Sequence, residues 1–360
     1  MKLKVLLLCR YPRLGASSRL RSYQYLPLLA EAGIDVTVLP LFDEAYLQRF
    51  YATGAKRPSD LARAYLVRLR QLLRVKRYDL VWLEKELFPW MPAWFECGLR
   101  RLGVPYLVDY DDAIFHRYDQ SSSAWVRRLL GHKIDRVMAC ATLVTAGNAY
   151  LAERAKRAGA RDVRILPTVV DITRYPLKQH HQRNELTIGW IGSPSTAGYL
   201  ELIREPLARL AGEHRLRLLI IGADALTIPG VEVEALPWSE EREAELIRQC
   251  DVGVMPLKDD LWERGKCGYK LIQYLASGLP VVASPVGVNR EIVEPGVNGY
   301  LADSDPAWEA AFTRLIGQPQ LRRDLGLMGR DKVQRQYALD VTAPLLIEAL
   351  QQAANATRVN

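Results

Sequence analysis

Lys266 and Lys270 stand four residues apart in KCGYKLIQYLASG, where helical spacing begins at about Gly268 and runs to Ala276. Lys266 precedes that helix and Lys270 lies in its first turn. A cation there opposes the positive end of the helix dipole and is unfavourable unless an anion joins it. A bound diphosphate supplies such an anion, with Gly268 and the loop amides as further donors. Gln273, one turn on, offers a hydrogen bond to a ribose hydroxyl. The competing reading is that both lysines only solvate the helix.

Two glycine-bearing loops suit the same kind of ligand. In LGASSRLRSYQYL, Gly15 permits a sharp turn, Ser17 or Ser18 caps the helix, and Arg19 and Arg21 lie in its first turns. A helix start with arginines attracts anions, so Gly15 and Arg19 are candidate anion-binding residues. GWIGSPSTAGYLELI repeats the arrangement with Gly192, Ser193, Ser195 and Thr196. Neither loop is a Walker loop or a dinucleotide fingerprint.

The elements that must position these residues recur as an apolar run, a turn and an amphipathic helix. LKVLLLC, IDVTVLP, DLVWLE, PYLVDY, ATLVTAG and DVRILP read as strands in the first half, and LTIGWIG, LRLLIIG, VEVEAL, CDVGVMPL and PVVASP in the second. This alternation predicts an α/β protein with two doubly wound Rossmann-like domains, ligands sitting at the carboxyl ends of the strands. The expected boundaries are a first domain over 1–170, a linker over 171–185 carrying Pro176 and a polar run, a second domain over 186–340, and a last helix over 341–360 returning to the first.

Charge divides unevenly: residues 1–178 hold 30 Lys and Arg against 17 Asp and Glu, or +13, whereas 179–360 hold 19 against 24, or −5. A basic first half suggests an anionic partner, either a phosphate-bearing molecule or an anionic membrane met peripherally. In LARAYLVRLRQLLRVKRYD the arginines accompany Leu61, Tyr65, Leu69, Leu72 and Leu73 at helical spacing, which fits a solvated basic face over a buried stripe as well as membrane docking. No stacking-aromatic or helix-turn-helix pattern accompanies the charge, so nucleic acid is not an expected partner. The five cysteines show no metal-type spacing and read as small core residues of a cytoplasmic protein, and the histidines show no ligand spacing. The apolar run in MKLKVLLLCR is too short for a signal peptide, and no run reaches the roughly 18 residues of a membrane span.

YKLIQYLASGLPVVASPVGVNREIVEPGVNGYLA closely resembles the donor-binding region of family 4 (group 1) retaining glycosyltransferases, whose common form reads E-A-M-A-C-G-x-P-V-V-A-S and runs on to N-G. LPTVVDITRY is similar to the family's P-N-G-V-D-x-x-x-F junction, and GASSRLRSYQYLPLLAEAGIDV to its glycine loop and L-x-x-x-G-H-x-V segment. The resemblance implies the GT-B fold, a nucleotide-diphosphate sugar bound by the second domain, and a glycan or lipid-linked acceptor bound by the first. It implies no cofactor and no required divalent ion.

Departures from the pattern are definite. The family's E-x7-E pair falls on Gly265 and Gln273, its G-R…E-K-G diphosphate clamp is replaced by GSPSTAGY, and its histidine falls near Asp111 within an acidic cluster of Asp109, Asp111 and Asp112. The resemblance makes Asp111 and Asp112 the catalytic candidates, as hydrogen-bond acceptor or general base, and leaves Lys266, Lys270 and the Gly192–Ser193 loop to neutralise the departing diphosphate. The acidic cluster could instead hold a divalent ion or cap a loop. Glu84, Lys85 and Glu86 lie at a strand end on the same edge. The leading expectation is sugar transfer in polysaccharide or cell-envelope assembly. A silent nucleotide-sugar-binding protein and a GT-B epimerase are the alternatives.

Overall fold

The computed structural model describes residues 2–55, 57–181 and 185–356, so the expected polar run of the linker at 182–184 lies outside the described residues. The chain divides into two units: Met1–Thr168 with Gly265–Cys267 and Thr342–Asn360, and Val169–Arg264 with Gly268–Val341.

The first unit is built on the parallel sheet β2-β1-β3-β4-β5-β6, formed by β1 (Leu3–Leu8), β2 (Ile34–Val38), β3 (Leu80–Glu84), β4 (Tyr106–Tyr110), β5 (Leu143–Ala146) and β6 (Val163–Ile165). The second is built on β12-β11-β10-β7-β8-β9, formed by β7 (Glu185–Ile191), β8 (Arg215–Ile221), β9 (Glu232–Leu236), β10 (Val252–Met255), β11 (Val281–Ala283) and β12 (Gly299–Leu301). Every pairing is parallel. Central strands such as LVWLE and VGVM are buried along their whole length, as a sheet covered on both faces requires. β12 was not among the expected strands: at three residues it shows no period.

The helices used below are α1 (Ala16–Arg21), α2 (Pro58–Leu72), α3 (Trp94–Arg101), α4 (Lys133–Cys140), α5 (Ala149–Arg157), α6 (Tyr269–Ala276), α7 (Pro319–Gln336) and α8 (Leu339–Asn355). Pro58 opens α2 at a position whose N–H has no helical partner, and Asp60 favours its dipole. Of the two readings offered for α2, the one with a buried leucine stripe fails: Arg63, Arg70 and Arg74 are exposed as it requires, but the leucines are not inside. Arg68 is buried and donates to the Cys9 carbonyl at 2.9 Å, while Leu61, Leu69 and Leu73 are exposed. The reason is that Ala64 is the residue of α2 that enters the core, beside Leu41, Phe42 and Tyr46.

The cysteine expectation also needs correction. Cys97 of α3 and Cys140 of α4 form a disulfide, Cα atoms 5.3 Å apart, whereas Cys9, Cys250 and Cys267 are buried thiols. A separation of 43 residues carries no pairing signal, and the cysteine argument for a reducing compartment falls with it. We expect the Cys97→Ser, Cys140→Ser double variant to lose up to about 4 kcal/mol of stability under oxidising conditions, the loop-closure value for such a ring. Urea unfolding with and without reductant checks this: a wild-type midpoint insensitive to reductant removes the disulfide from the stability of the fold.

Candidate functional site

In each sheet the strand order reverses direction once. Loops diverge there at the carboxyl ends and leave a crevice, the usual ligand position in doubly wound sheets. In the first unit the reversal falls between β1 and β3, and in the second between β7 and β10. Both crevices are lined by residues singled out in the sequence.

At the first reversal, Glu84 ends β3 and Lys85 follows with φ +64, one of two described residues other than glycine in the left-handed region. That conformation persists only where the surroundings fix it. Here they do: Lys85 Nζ lies 2.8 Å from Asp111 Oδ1 and donates to Ser17 Oγ at 2.9 Å, while Ser17 Oγ donates to Asp111 Oδ2 at 2.5 Å. Behind this triad, Glu84 Oε2 accepts from Ser18 Oγ at 2.6 Å and from the Arg10 amide at 3.1 Å. Glu84 Oε1 is buried without a hydrogen-bond partner.

Charges in this crevice are set by neighbours. Burial alone would lower the Lys85 pKa, but Asp111, Asp112 and Glu84 together raise it. Burial raises Asp111, and Lys85, then Arg21, more than reverse this, so its carboxyl is held below the usual range. Asp112 is raised, by burial and by the charge of Asp111, against weaker pulls from Lys85 and Lys266. Two adjacent carboxyls are thus driven apart: Asp111 is an oriented anion and a weak base, and Asp112 is the one nearer to proton exchange.

The remaining acid has a different task. Asp109 accepts Arg21 Nε at 2.8 Å and Nη2 at 2.6 Å, with Thr145 Oγ1 donating at 2.6 Å. This pair is buried, and Arg21 also donates to the Leu166 carbonyl at 2.8 Å. Asp109 is thus bound to Arg21, and Asp111 to Lys85. Among the described residues no group of three or more His, Cys, Asp or Glu is placed to hold a metal.

The segment Gly265–Cys267 groups with this unit. Asn148, which caps α5 by accepting from the Leu151 amide at 2.9 Å, donates through Nδ2 to the Lys266 carbonyl at 2.9 Å. Cys267 Sγ donates to the Asp111 carbonyl at 3.2 Å. A Cβ on Gly265 would lie 2.4 Å from Ala113 Cβ and 2.8 Å from the Ala113 nitrogen. The place where the resemblance puts a glutamate therefore has no room for a side chain.

At the second reversal, Gly192 follows β7 and its amide donates to the Ile221 carbonyl at 2.9 Å. Lys270, in the first turn of α6, holds its ammonium 4.1 Å from the centre of the Trp190 ring, and a Cβ on Gly192 would lie 2.6 Å from that nitrogen. The Trp190 face offsets part of the cost of a cation at a helix start, a contribution that neither sequence reading of Lys270 included. Gly268 precedes α6 with φ +66, and a Cβ there would meet Ile292 Cδ1 at 2.3 Å. Ser193 is exposed and exchanges a hydrogen bond with Ser195 Oγ at 2.9 Å. Along the same edge, a concavity of about 490 Å³ opens beyond β10, β11 and β12, lined among others by Lys258, Ser284, Arg290 and Trp308.

Several expected roles change on this geometry. Gln273 is buried and donates through Nε2 to Tyr175 Oη at 3.0 Å, so it presents no amide to a ribose. Glu263, the glutamate two residues before Gly265, is buried and accepts from the Tyr199 hydroxyl. Gly15 has φ −78 and supplies no unusual turn; it is a glycine because a Cβ would come within 2.4 Å of Tyr11 Cβ. Neither serine caps α1: its N-cap is Gly15, and Ser17 and Ser18 lie inside the helix, bonded to Asp111 and Glu84. Arg19 is buried, 4% exposed, and Arg21 is consumed by Asp109, so α1 offers no arginine surface to an anion. Lys85 is the central residue that sequence reasoning left without a role. Its only signal was a lysine between two glutamates at the end of a buried strand.

Comparison with known proteins agrees with this architecture. The glycosyl transferase 4-like domain family matches residues 4–168, and the glycosyl transferases group 1 family matches residues 185–318. A D-inositol 3-phosphate glycosyltransferase of Geodermatophilus obscurus is 33% identical over 174 residues, covering 48% of this chain and 34% of that protein. The matched segment thus spans about a third of the curated relative's length. Sucrose-phosphate synthase from Thermosynechococcus elongatus has a TM-score of 0.71 at 16% identity, covering 98% of this chain and 100% of its own. Anabaena HepE in complex with UDP has a TM-score of 0.68 at 15% identity, covering 97% of this chain and 100% of its own. At such identities the likeness to the solved structures is one of fold. With both units matched to its domains, the chain belongs to the group 1 glycosyltransferases, of family 4 and the GT-B fold.

Proposed function

We propose that the protein is a retaining glycosyltransferase that moves a sugar from a nucleotide-diphosphate sugar to a phosphate-bearing or lipid-linked acceptor. The observation that carries the reading is Lys270 set against Gly192 at the strand-order reversal of the second unit, a cation beside a loop backbone without side chain. In the reaction the anomeric carbon–oxygen bond to the diphosphate breaks, and its electron pair leaves with the nucleoside diphosphate. The acceptor oxygen forms the new bond on the same face, and its proton passes to the departing diphosphate. Lys270, with the amides of Ser193 and Gly268, stabilises the charge that develops there. Asp111, held by Lys85, accepts a hydrogen bond from an acceptor hydroxyl and orients it, with the Asp112 carboxyl beside it.

UDP sugars are the first donors to test, because HepE is described with UDP and with UDP-glucose. A phosphate-bearing acceptor is favoured by the +13 charge of residues 1–178 and by the name of the Geodermatophilus relative. A second reading, nucleotide-sugar binding without turnover, rests on Gly265 and Gln273 standing where the resembled family has glutamates.

Calorimetry against UDP, GDP, ADP and dTDP sugars, with nucleotide release followed in parallel, separates the two. Release with retained anomeric configuration in the product supports transfer; tight binding with no release in the presence of phosphorylated acceptors supports the silent protein. Lys270→Ala should weaken donor binding by about 10- to 100-fold, the loss of a charge-assisted hydrogen bond. Unchanged affinity removes Lys270 from the diphosphate site.

A further inference from the structure

Most charges at the crevice of the first unit are matched in pairs. Asp109 is matched by Arg21, Asp111 by Lys85 and Glu86 by Lys133. Asp112 has no such match. Besides Lys85, two cations act on its carboxyl, Lys266 and then Arg117, and neither forms an ion pair with it. Among the described residues, the side chains of Lys266 and Arg117 make no hydrogen bond and no ion pair. One carboxyl therefore faces two cations without partners, which leaves an excess of positive charge beside Asp112 where the other named pairs balance.

Both cations are held near Asp112 by their backbone. The Ile114 amide donates to the Asp112 carbonyl at 2.8 Å and the Arg117 amide to the Ile114 carbonyl at 3.1 Å, so two tight turns bring Arg117 back towards the acid. The carbonyl of Lys266 is held by Asn148, and the next residue, Cys267, donates to the Asp111 carbonyl. Arg117 and Lys266 are half-buried.

An aromatic residue on the same unit is strained without a packing reason. Trp90 is the second non-glycine residue in the left-handed region, at φ +63, a conformation that a bulky side chain keeps only where its surroundings impose it. Its amide donates to Tyr118 Oη at 3.1 Å, and its ring packs edge-on against Tyr118 at 5.2 Å. Tyr118 Oη in turn donates to Glu86 Oε2 at 2.7 Å. Tyr118 follows Arg117 in the single helical turn His116–Asp119. The indole nonetheless stays 50% exposed. Strain that leaves a ring exposed serves what the ring meets, not the packing of the core.

We propose that Arg117 and Lys266 hold a phosphate of the acceptor beside Asp112 and that Trp90 covers the ring bearing it, so that the acceptor is a phosphorylated sugar or cyclitol. Arg117 offers a planar fork that matches phosphate oxygens, and Lys266 a point charge. The indole offers an apolar face to the C–H side of the ring. A phosphate fixed there orients the ring, and with it the hydroxyl that reaches Asp111. The inference rests on the transfer reading above, and it moves Lys266 from the donor diphosphate, where the sequence placed it, to the acceptor.

The test is calorimetry of the full chain against inositol 3-phosphate, glucose 6-phosphate and inorganic phosphate, with inositol and glucose as unphosphorylated controls and UDP as a probe of the donor site. We expect at least one phosphorylated ring to bind and its unphosphorylated control to bind about 100-fold more weakly or not at all. Arg117→Gln and Lys266→Gln should each weaken the phosphorylated ring by about 10- to 100-fold, the loss of a charge-assisted hydrogen bond, and leave UDP affinity unchanged. Trp90→Ala should weaken the phosphorylated ring and not inorganic phosphate. No binding of any phosphate compound, or glutamine variants that bind them as wild type does, overturns the proposal. So does a Lys266→Gln variant that loses UDP and keeps the phosphorylated ring, which returns Lys266 to the donor. Sugar transfer to an unphosphorylated acceptor at a rate indifferent to Arg117→Gln would overturn this inference and leave the transferase reading intact. Phosphorylated rings bound through Arg117 and Lys266 with no nucleotide release from any donor would do the reverse.

Discussion

Lys85→Met is expected to destabilise the protein by roughly 3–5 kcal/mol, the cost of leaving a buried carboxylate without its cation. Asp111 would retain Ser17 as its donor but lose the ammonium at 2.8 Å that holds its carboxyl below the usual range. The sign with pH is definite. In the wild type the depressed Asp111 pKa gives stability that is present above the unfolded value and lost as pH falls through the folded one. In the variant the burial that now dominates raises the folded pKa, so stability is greatest at low pH and is lost as pH rises. The gap between the two proteins should therefore close below about pH 4 and open towards neutrality. Urea unfolding across that interval reads it directly. Asp111→Asn in the Lys85→Met background should recover part of the loss by removing the stranded charge. A gap that stays constant with pH would mean that the methionine acts through packing or through the left-handed backbone, not through Asp111.

Gly265→Glu, which places a carboxylate where the resembled family has one, is expected to harm the protein and not to improve it. The clash begins at Cβ: 2.4 Å from Ala113 Cβ and 2.8 Å from a backbone nitrogen that no rotamer moves aside. Overpacking typically costs about 1–3 kcal/mol, and a backbone contact puts this case at the upper end. Displacing Gly265 also strains the Asn148–Lys266 and Cys267–Asp111 hydrogen bonds beside it. Gly265→Ala should show most of the same loss, because Cβ alone makes the contact. If the glutamate variant were as stable as wild type and turned over faster, the steric account of the missing carboxylate would be wrong.

What the sequence disclosed follows from how locally each feature is encoded. Eleven of the strands were legible: central ones such as Leu80–Glu84 and Val252–Met255 as apolar runs, because burial on both faces leaves no polar alternation, and edge ones such as Glu232–Leu236, which is not fully buried, by alternation. Gly299–Leu301 is too short for either signal. The helix of Lys270 was legible from spacing, and the chain begins it at Tyr269. Side-chain engagement was not legible. Arg21 and Asp109 are 88 residues apart, Lys85 and Ser17 68, and only the packed sheet brings them together. The same holds for the cysteine pair and for Gln273, whose partner Tyr175 is 98 residues away. The amphipathic pattern of α2 was visible, but periodicity alone does not tell which of its faces the core receives. Ala64 decides it, and a small residue carries little weight in such a reading.

The path of the chain between the two units has a consequence for how the protein is made. The first unit is not one continuous stretch: residues from Thr342 onward belong to it, and Thr342 Oγ1 lies 3.1 Å from Tyr25 Oη while Glu348 pairs with Arg164 at 3.6 Å. On a ribosome, β1 to β6 emerge early, yet their unit must wait for the whole of the other before α8 arrives to close it. The half synthesised first is therefore the half completed last, and a fragment stopping at Thr168 lacks a piece of its own structure.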